Sequence, residues 1–264
     1  MISIILTYYK KKQFIKRCLN SIINQTYKNF ETILVYDDND KDDLKYIKKI
    51  SKKISKLKII VNKKNIGVAK SRNIALKKSK GNYIAFLDCD DYWQKNKLKD
   101  QIKIMRIKNL LFTHTSYLIV DEKDKKIGKS IAKKSLNYND LLKSCDIGLS
   151  TVIFHKKLLK IAYFPIIKTK EDYALWLTFA RNNIEIVGIN KYYSSWRKNK
   201  NSLSSSIILK FVNGFKFYYK YEKKNFILSL LLTVRLAIYY VNKKCIQIIN
   251  LNKWKKEKKH LLLE

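Results

Sequence analysis

Four short apolar runs, separated by segments with helical periodicity, are the feature that most restricts how this chain can fold. The segment after the first run places its apolar residues at helical spacing over positions 14–23. Alternating strands and helices predict an α/β fold with a mostly parallel sheet sandwiched by helices. The runs are rich in β-branched and aromatic residues, as strands are, and they are Ile2–Tyr9, Phe30–Asp38, Lys56–Asn62 and Tyr83–Asp88.

Three of these predicted strands end in polar residues. Thr7 and Tyr8 end the first, Asp37 and Asp38 end the second, and the segment Asp88–Asp91 ends the fourth. Ligands of such sheets bind beyond the carboxyl ends of the strands. We therefore expect one binding site at this edge.

Asp88 and Asp90 are candidates for a cation site. In an extended chain, positions i and i+2 face the same side, so the two carboxylates converge while Cys89 points into the fold. Such carboxylates repel unless a cation lies between them, and oxygen ligands suit Mg²⁺ or Mn²⁺; a solvated turn is the alternative. Asp91 and Gln94 have the spacing of a helix cap and its reciprocal partner, so we predict a capping role for Asp91.

Asp37 and Asp38 can accept hydrogen bonds from a base or a ribose, although their surroundings are also typical of a plain turn. Gly67 precedes a predicted helix, and Arg72 follows one turn in. The helix start and the guanidinium could address a diphosphate. A surface role for Arg72 is the alternative.

The second half of the chain is less regular. Leu111–Asp121 and Ile184–Asn190 read as strands, and Glu171–Asn183 reads as a helix that opens with Glu171 and Asp172. These two acids either complement the helix dipole or supply a general base at a site rim. The polar, basic segment Ser194–Ser206 reads as a loop, either disordered or ordering as a lid over a charged ligand.

The chain is strongly basic, with 57 Lys+Arg against 21 Asp+Glu and a formal charge of +36. This charge attracts polyanions, although a composition rich in Lys, Ile and Asn explains part of it. Four scattered cysteines and three histidines argue against a zinc site and suit a reducing cytosol. The first residues lack the basic segment of a signal peptide.

The C-terminal region, from Ile207 onward, mixes aromatic, aliphatic and lysine residues in a helical pattern. Its apolar run Phe226–Val241 contains Arg235 and is shorter than the roughly 20 residues of a spanning helix. Lysines on both sides are typical of a helix lying on anionic lipid. A helical appendage packed on the domain, or a dimer contact, explains the pattern equally well.

Together these stretches resemble family 2 glycosyltransferases of the GT-A fold, bacterial enzymes that use nucleotide sugars. The resemblance runs from about Ser3 to Ser204. The matching stretches, in order, are SIILTYY, CLNSIINQTYKNFETILVYDDND, NIGVAKSRNIALKKSKGNYIAFLDCDD, EDYALWL and WRKNKNSLS.

The resemblance implies a nucleotide pocket at the strand ends. Thr7 and Tyr8 would line it, with Tyr8 stacking near the uracil. Asp37 and Asp38 would bind the base, and Arg72 would lie near the uracil and the diphosphate.

The resemblance also implies the reactive groups. Asp88 and Asp90 match a D-x-D motif, in which the first acid lies near the ribose and the second binds the metal. Asp172 matches the catalytic base, with Glu171 supporting it or the acceptor.

Two departures from the family pattern concern the pocket and the loop that closes over the donor. Leu6-Thr7-Tyr8-Tyr9 replaces the usual Pro-Thr-Tyr-Asn, so Tyr9 would alter the pocket. Arg197 and Ser202 match the loop, but Asn199 stands where many members have histidine, which puts contacts from this loop to metal or phosphate in question.

The family would make this chain an inverting enzyme that moves a hexose or N-acetylhexosamine from a UDP-sugar to a glycan hydroxyl, with Mn²⁺ or Mg²⁺. The acceptor would be a glycan or lipid-linked glycan in lipooligosaccharide, capsule or other surface polysaccharide synthesis. The enzyme would be cytoplasmic and peripheral on the inner membrane face, where an anionic surface is a candidate partner. Residues 1–206 would form the GT-A domain, with a nucleotide-binding half (1–93) and an acceptor half (94–206), and residues 207–264 the basic helical region.

Two alternatives remain open at the level of sequence. A nucleic-acid-binding protein would explain the charge, but the chain has no helix-turn-helix, RNP or zinc-finger pattern, and acids at the strand ends would repel phosphate. We therefore expect no nucleic-acid partner. A catalytically inactive member that only binds nucleotide sugar is the second alternative, and the retained acidic motifs argue against it.

Overall fold

The alternation of strands and helices predicted for the first 88 residues is confirmed in a computed structural model, which describes residues 1–167, 169–199 and 207–242. The strands are slightly shorter than predicted, because the polar residues at their carboxyl ends leave the sheet as loops. The elements are β1 (Ile2–Tyr8), α1 (Lys12–Ile23), β2 (Phe30–Tyr36), α2 (Lys41–Ile50), β3 (Leu57–Val61), α3 (Val68–Lys78) and β4 (Tyr83–Phe86).

The second half contains more elements than the sequence indicated. The strand predicted to end at Asn190 continues to Arg197, so the first four residues of the predicted loop Ser194–Ser206 belong to the sheet. The elements are β5 (Tyr92–Trp93), α4 (Lys97–Ile107), β6 (Phe112–Val120), β7 (Lys126–Ser130), β8 (Ser135–Leu136), α5 (Tyr138–Lys143), β9 (Ile153–His155), α6 (Glu171–Arg181) and β10 (Ile186–Arg197), with short 3-10 turns at Leu149–Thr151 and Lys156–Lys160.

The ten strands of the described residues join one sheet, in the order β3-β2-β1-β4-β9-β6-β10-β5, with β7 paired to β6 and β8 to β10. Strands β3, β2, β1 and β4 are mutually parallel, and β6 is parallel to β10. The central parallel sheet is thus as predicted, while β5, β7, β8 and β9 pair antiparallel. Because β1, β2 and β4 are parallel, their carboxyl ends lie at one edge.

Helices cover both faces of the sheet, as the alternation of side chains along β1 illustrates. Ile4 and Leu6 pack with α1 and α4, whereas Ile5 packs with α3 and α6 on the other face. Each face thus has its own hydrophobic cluster, and the second cluster is the one on the Ile5 face. It contains aromatic rings of β6 and α6, where the ring centroids of Phe112 and Trp176 are 5.1 Å apart. This two-faced burial matches the predicted sandwich.

The C-terminal region is helical, as predicted, and packs on the second cluster. It consists of α7 (Ile207–Lys216), a π-helical turn (Phe217–Tyr221) and a further helix, α8, over residues 226–242. Phe217 stacks on Tyr173 at 4.9 Å, and buried Glu222 accepts hydrogen bonds from Tyr138 at 2.7 Å and Arg181 at 2.5 Å. Within the described ranges, no helix combines the length and apolar character needed to cross a bilayer.

Candidate active site

The carboxyl ends of β1 and β2 are tied together by Asp38. Its Oδ2 accepts a hydrogen bond from the backbone N–H of Lys10 at 2.9 Å, and its Oδ1 accepts one from Asn39 at 2.8 Å. Asp38 is almost fully buried. It therefore lies at the predicted edge and fixes the relative position of two strand ends.

Asp37 shapes the loop before α3. One carboxylate oxygen accepts from the Asn62 side chain at 2.7 Å and from the N–H of Ile66 at 2.9 Å, and the other accepts from Gly67 at 2.9 Å. Gly67 has a φ of 89°, a conformation that favours glycine. With both oxygens bound to protein donors, Asp37 positions the start of α3, and the predicted contact with a base is not supported.

Tyr8 also differs from its predicted role. Its ring is fully buried and stacks on Tyr36 at 5.1 Å, and its hydroxyl donates to Asp43 at 2.5 Å. Burial and the neighbouring carboxylate raise the pKa of Tyr8. This ring cannot stack on a base, whereas that of Tyr9 is 46% exposed. Thr7, half-buried, lies on the opposite side of β1 from Tyr8.

Asp88 and Asp90 lie in a tight turn and not in an extended strand, because the N–H of Asp91 donates to the carbonyl of Asp88 at 2.9 Å. Cys89 is buried, as predicted. Both acidic side chains retain access to solvent, with exposed fractions of 32% for Asp88 and 18% for Asp90. Burial raises the pKa of Asp88, with Arg72 opposing the shift and Asp90 adding to it.

The capping role predicted for Asp91 is wrong. Helix α4 begins only at Lys97, because β5 intervenes. Asp91 is buried and instead accepts from the Ser150 hydroxyl at 2.6 Å and from the N–H of Arg197 at 2.9 Å. It therefore anchors the acidic turn to β10 and to the loop before β9.

Arg72 joins the two acidic motifs that are separate in sequence. Its guanidinium is almost fully buried and lies 2.9 Å from Asp88 and 2.6 Å from Glu171. The surface alternative is therefore excluded for this residue. Glu171 is held by this ion pair and lies beside Asp172.

Asp172 has the environment of a general base. Burial and then the charge of Glu171 raise its pKa to about 6, although Arg72 and the hydrogen bond from the N–H of Tyr173, at 2.8 Å, act in the opposite direction. A carboxylate with this pKa is ionised at neutral pH and can accept a proton. The arrangement favours the catalytic interpretation over simple dipole complementarity.

Arg197 is buried, and its guanidinium contacts protein groups around the acidic turn, whereas the sequence predicted it in a loop that closes over the sugar donor. Its Nε donates to the Asp90 carbonyl at 2.9 Å, its Nη1 donates to the Asp121 carbonyl at 2.8 Å, and its Nη2 pairs with Asp124. It acts as a positioning residue for the turn. Ser202, the other predicted loop residue, lies outside the described residues.

Asn199 and Lys11 contact the Asp90 carboxylate. Asn199 donates its Nδ2 hydrogen to Asp90 Oδ2 at 2.6 Å, and Lys11 Nζ lies 2.8 Å from the same oxygen. Neither contact was predicted. Lys11 belongs to the basic stretch after β1, whose spacing gave no indication of a partner.

The residues around the acidic turn fit a hard divalent cation. The Oδ1 atom of Asn199 is buried and has no hydrogen-bond partner among the described residues. Asn199 turns its Nδ2 toward Asp90, so a flip of the amide would bring Oδ1 to the carboxylates of Asp88 and Asp90, and the three groups would then offer the oxygen ligands that Mn²⁺ and Mg²⁺ prefer. Across the described ranges, no group of three or more His, Cys, Asp or Glu side chains forms a metal site, so the amide oxygen would complement only two acids.

Comparison with known proteins gives consistent matches. The chain is 38% identical over 207 residues to the UDP-Glc:alpha-D-GlcNAc-diphosphoundecaprenol beta-1,3-glucosyltransferase WfgD of Escherichia coli, covering 78% of this chain and 80% of that one.

Among solved structures, S. aureus TarS 1-349 in complex with UDP-GlcNAc superposes with a TM-score of 0.65 at 24% identity, covering 82% of this chain and 66% of that one. The mannosyltransferase PcManGT from Pyrobaculum calidifontis, in complex with GDP-Man and Mn²⁺, gives 0.64 at 12% identity, covering 99% and 84%. The chain spans 39% of another TarS structure. At these identities the structural matches establish the fold alone.

The sequence profile of glycosyl transferase family 2 matches residues 3–164, which include β1–β4 and the acidic turn. The chain belongs to glycosyl transferase family 2 and is a glycosyltransferase.

Proposed function

We propose that this protein transfers a hexose or N-acetylhexosamine from a UDP-sugar to a glycan hydroxyl, with inversion at the anomeric carbon. The observation that supports this most is the chain of contacts from Asp88 through Arg72 to Glu171, which places the acidic turn next to Asp172. A UDP-sugar donor is consistent with the name of WfgD, which uses UDP-Glc, and with the UDP-GlcNAc complex of TarS.

Asp172 is the proposed general base. Its carboxylate takes the proton of the acceptor hydroxyl while that oxygen attacks the anomeric carbon from the face opposite to UDP. The bond between that carbon and the diphosphate oxygen breaks, and UDP leaves with the electron pair. General base action contributes about 10²–10⁴-fold, so positioning and charge stabilisation of the diphosphate must supply the rest.

The nucleotide would bind across the carboxyl ends of β1, β2 and β4. Thr7 and the exposed ring of Tyr9 lie at the end of β1, and Tyr9 replaces Tyr8 as the candidate for stacking on the base. Asp38 lies next to them at the end of β2, and Asp88 is the proposed partner of the ribose. Arg72 holds Asp88 in place through their ion pair, so Arg72 is proposed as a positioning residue for the sugar donor.

Asp88, Asp90 and the amide oxygen of Asn199 would hold Mn²⁺ or Mg²⁺. When bound, the ion supplies positive charge against the charge that develops on the leaving diphosphate. The Mn²⁺ complex of PcManGT is consistent with this choice. The turn itself is held in place by Arg197 below it and Asp91 beside it.

The acceptor is proposed to be a lipid-linked glycan in surface polysaccharide synthesis, because WfgD is named for a diphosphoundecaprenol substrate. The protein would then work in the cytoplasm, peripherally on the inner face of the membrane. We keep residues 1–93 as the nucleotide-binding half, 94–206 as the acceptor half and 207–264 as the basic helical region.

The proposal is tested by screening UDP-sugars with Mn²⁺ and a diphosphoprenyl GlcNAc acceptor. We expect transfer with inverted configuration, and a loss of about 10²-fold or more in the rate for Asp172→Asn. Asp42→Asn is the matched control, since Asp42 is an exposed acid in the first turn of α2. Full transfer by Asp172→Asn would exclude this base.

The same screen separates the two alternatives. A retained α-configuration in the product would exclude inversion. UDP-sugar binding without any turnover would favour an inactive member of the family, and retention on heparin without UDP binding would favour a nucleic-acid-binding protein.

A further inference from the structure

The outward face of α8 is apolar along its described length except at Arg235, which is exposed. Residues 226–242 contain a single charged side chain, Arg235. A helix on the surface of a water-soluble protein normally turns a charged or polar stripe outward. Here the exposed apolar side chains include Ile227 (71%), Leu231 (61%), Val234 (40%), Ile238 (55%) and Val241 (60%).

The opposite face of α8 packs on the protein. Ser229, Leu232, Thr233 and Leu236 are buried, at the three- and four-residue spacing of one helical stripe. The fold therefore covers the inner side of the helix and leaves its apolar outer side exposed. Packing of a helical appendage on the domain, one of the explanations offered from the sequence, accounts for the inner side of α8. It does not explain the exposed apolar residues on the outer side.

Helix α7 continues the exposed apolar surface. It crosses α8 where an added Cβ on Gly214 would lie 3.3 Å from Thr233, so the two helices are in close contact. Ile208 is 76% exposed, and Leu209, Phe211 and Val212 are also exposed. We call the exposed apolar residues of α7 and α8 the helical face.

Positive charge accompanies the helical face. Lys216, at the end of α7, is exposed, as are Lys220 and Lys223 between α7 and α8. Glu222, the one acid in residues 207–242, is buried in its contacts with Tyr138 and Arg181. A partner that fits this surface must therefore be apolar where it meets the helices and anionic beside them, as an anionic bilayer is.

We propose that the helical face docks on an anionic membrane, with α8 lying in the plane of the interface. An interfacial helix buries its apolar side at the boundary of headgroups and acyl chains, while nearby lysines meet anionic headgroups.

Docking by this face would bring the catalytic residues close to the lipid. The last described turns of α8 reach the loop after α5, where the Tyr239 hydroxyl donates to Asp146. The ring of Tyr240 lies 6.0 Å from Lys170 Nζ, two residues before Asp172. This inference rests on the proposed function in one respect, the lipid-linked acceptor.

Vesicle sedimentation with the full chain tests the proposal. We compare vesicles of phosphatidylcholine with and without phosphatidylglycerol. The wild-type protein should bind the anionic vesicles, and the binding should weaken with added salt. The triple variant Ile227→Gln, Leu231→Gln and Ile238→Gln should bind these vesicles at least about tenfold more weakly than the wild type. Equal binding by the wild type and the triple variant would overturn the proposal.

A matched control carries three glutamines at exposed isoleucines elsewhere, Ile107, Ile131 and Ile166, and should bind vesicles as the wild type does. Sedimentation equilibrium identifies the competing occupant. A wild-type dimer that the triple variant abolishes, without vesicle binding by either protein, would assign the helical face to a second copy and refute membrane docking.

Activity measurements separate this inference from the proposed reaction. The triple variant should keep wild-type transfer to a short, water-soluble acceptor and lose transfer to a lipid-linked acceptor in vesicles. If no transfer is found with any acceptor, the proposed reaction fails, while the sedimentation result still decides whether the helical face binds lipid.

Discussion

Removing the charge of Arg72 should change both the pH dependence of transfer and the stability of the fold. Around this guanidinium lie the carboxylates of Asp88 and Glu171, with Asp172 beside them. Arg72→Gln keeps a polar but shorter side chain and removes the positive charge that these acids share. The carboxylates of Asp88, Glu171 and Asp172 then repel one another without the guanidinium that lies between them.

The size of both effects follows from the contacts. Breaking a buried ion pair by removing one partner costs about 3–5 kcal/mol, and we expect the lower end, because a third of the Asp88 side chain reaches solvent. An opposite charge lowers a carboxyl pKa by about 1–3 units. Arg72 acts on Asp172 less strongly than burial and Glu171 do, so its loss should raise that pKa by about one unit.

The assay is the rate of transfer as a function of pH. Asp172 acts as a base only when ionised, so the wild-type rate should fall as the pH drops through about 6. In Arg72→Gln the acidic limb should move to higher pH. The stability of the fold changes with pH in the opposite direction to the rate. Because the pKa of Asp172 is higher in the folded than in the unfolded protein, folding favours the protonated carboxyl, and the stability it contributes is lost as the pH rises from about 4 to about 6.

Two controls make the experiment decisive. Lys70→Gln removes one charge from an exposed position of the same helix and should leave both the pH profile and the unfolding free energy unchanged. Arg72→Lys keeps the charge without the two-pronged geometry, so its rate should fall with little change in the acidic limb. An unshifted limb in active Arg72→Gln would refute the electrostatic coupling of the two motifs.

Two further predictions concern the nucleotide and the cation. Tyr9→Ala should raise the KM for UDP-sugar about tenfold, because stacking on a base contributes about 1–3 kcal/mol. Tyr8→Phe should leave KM unchanged and lower the unfolding free energy by about 1–2 kcal/mol, because the hydrogen bond to Asp43 is lost. The reverse pattern in kinetics and urea unfolding would assign the stacking role to Tyr8. Asn199→Ala should weaken Mn²⁺ binding about tenfold in titration calorimetry, and unchanged affinity would remove its amide oxygen from the donor set around Asp90.

The parts of the site that sequence reasoning located are those set by periodicity. Strand and helix patterns place the acids at the carboxyl ends of parallel strands, and parallel pairing then brings those ends together. The same alternation along β1 could have shown that Tyr8, in line with Ile4 and Leu6, points into the core. The error came from assigning a role by motif position without checking the face of the strand.

The remaining errors came from contacts between distant segments. Asp91 has the local spacing of a helix cap, but Ser150 and Arg197, 59 and 106 residues away, bind its carboxylate instead. Arg197 follows a serine-rich stretch and reads as a loop residue, whereas its guanidinium binds backbone carbonyls of the turn after β6. Because every residue has a backbone carbonyl, residue types alone do not predict which carbonyl an arginine will bind.

The contact between Arg197 and the acidic turn also has a consequence for how the chain folds. The bond from Arg197 Nε to the Asp90 carbonyl spans 107 residues. Closing so long a loop is entropically costly, and such contacts tend to form late. During synthesis, the four parallel strands can pair as soon as residue 86 is available, but the turn at their edge gains its support only after β10 has been made. A nascent chain would therefore form the parallel β1–β4 part of its sheet well before it could hold a sugar donor.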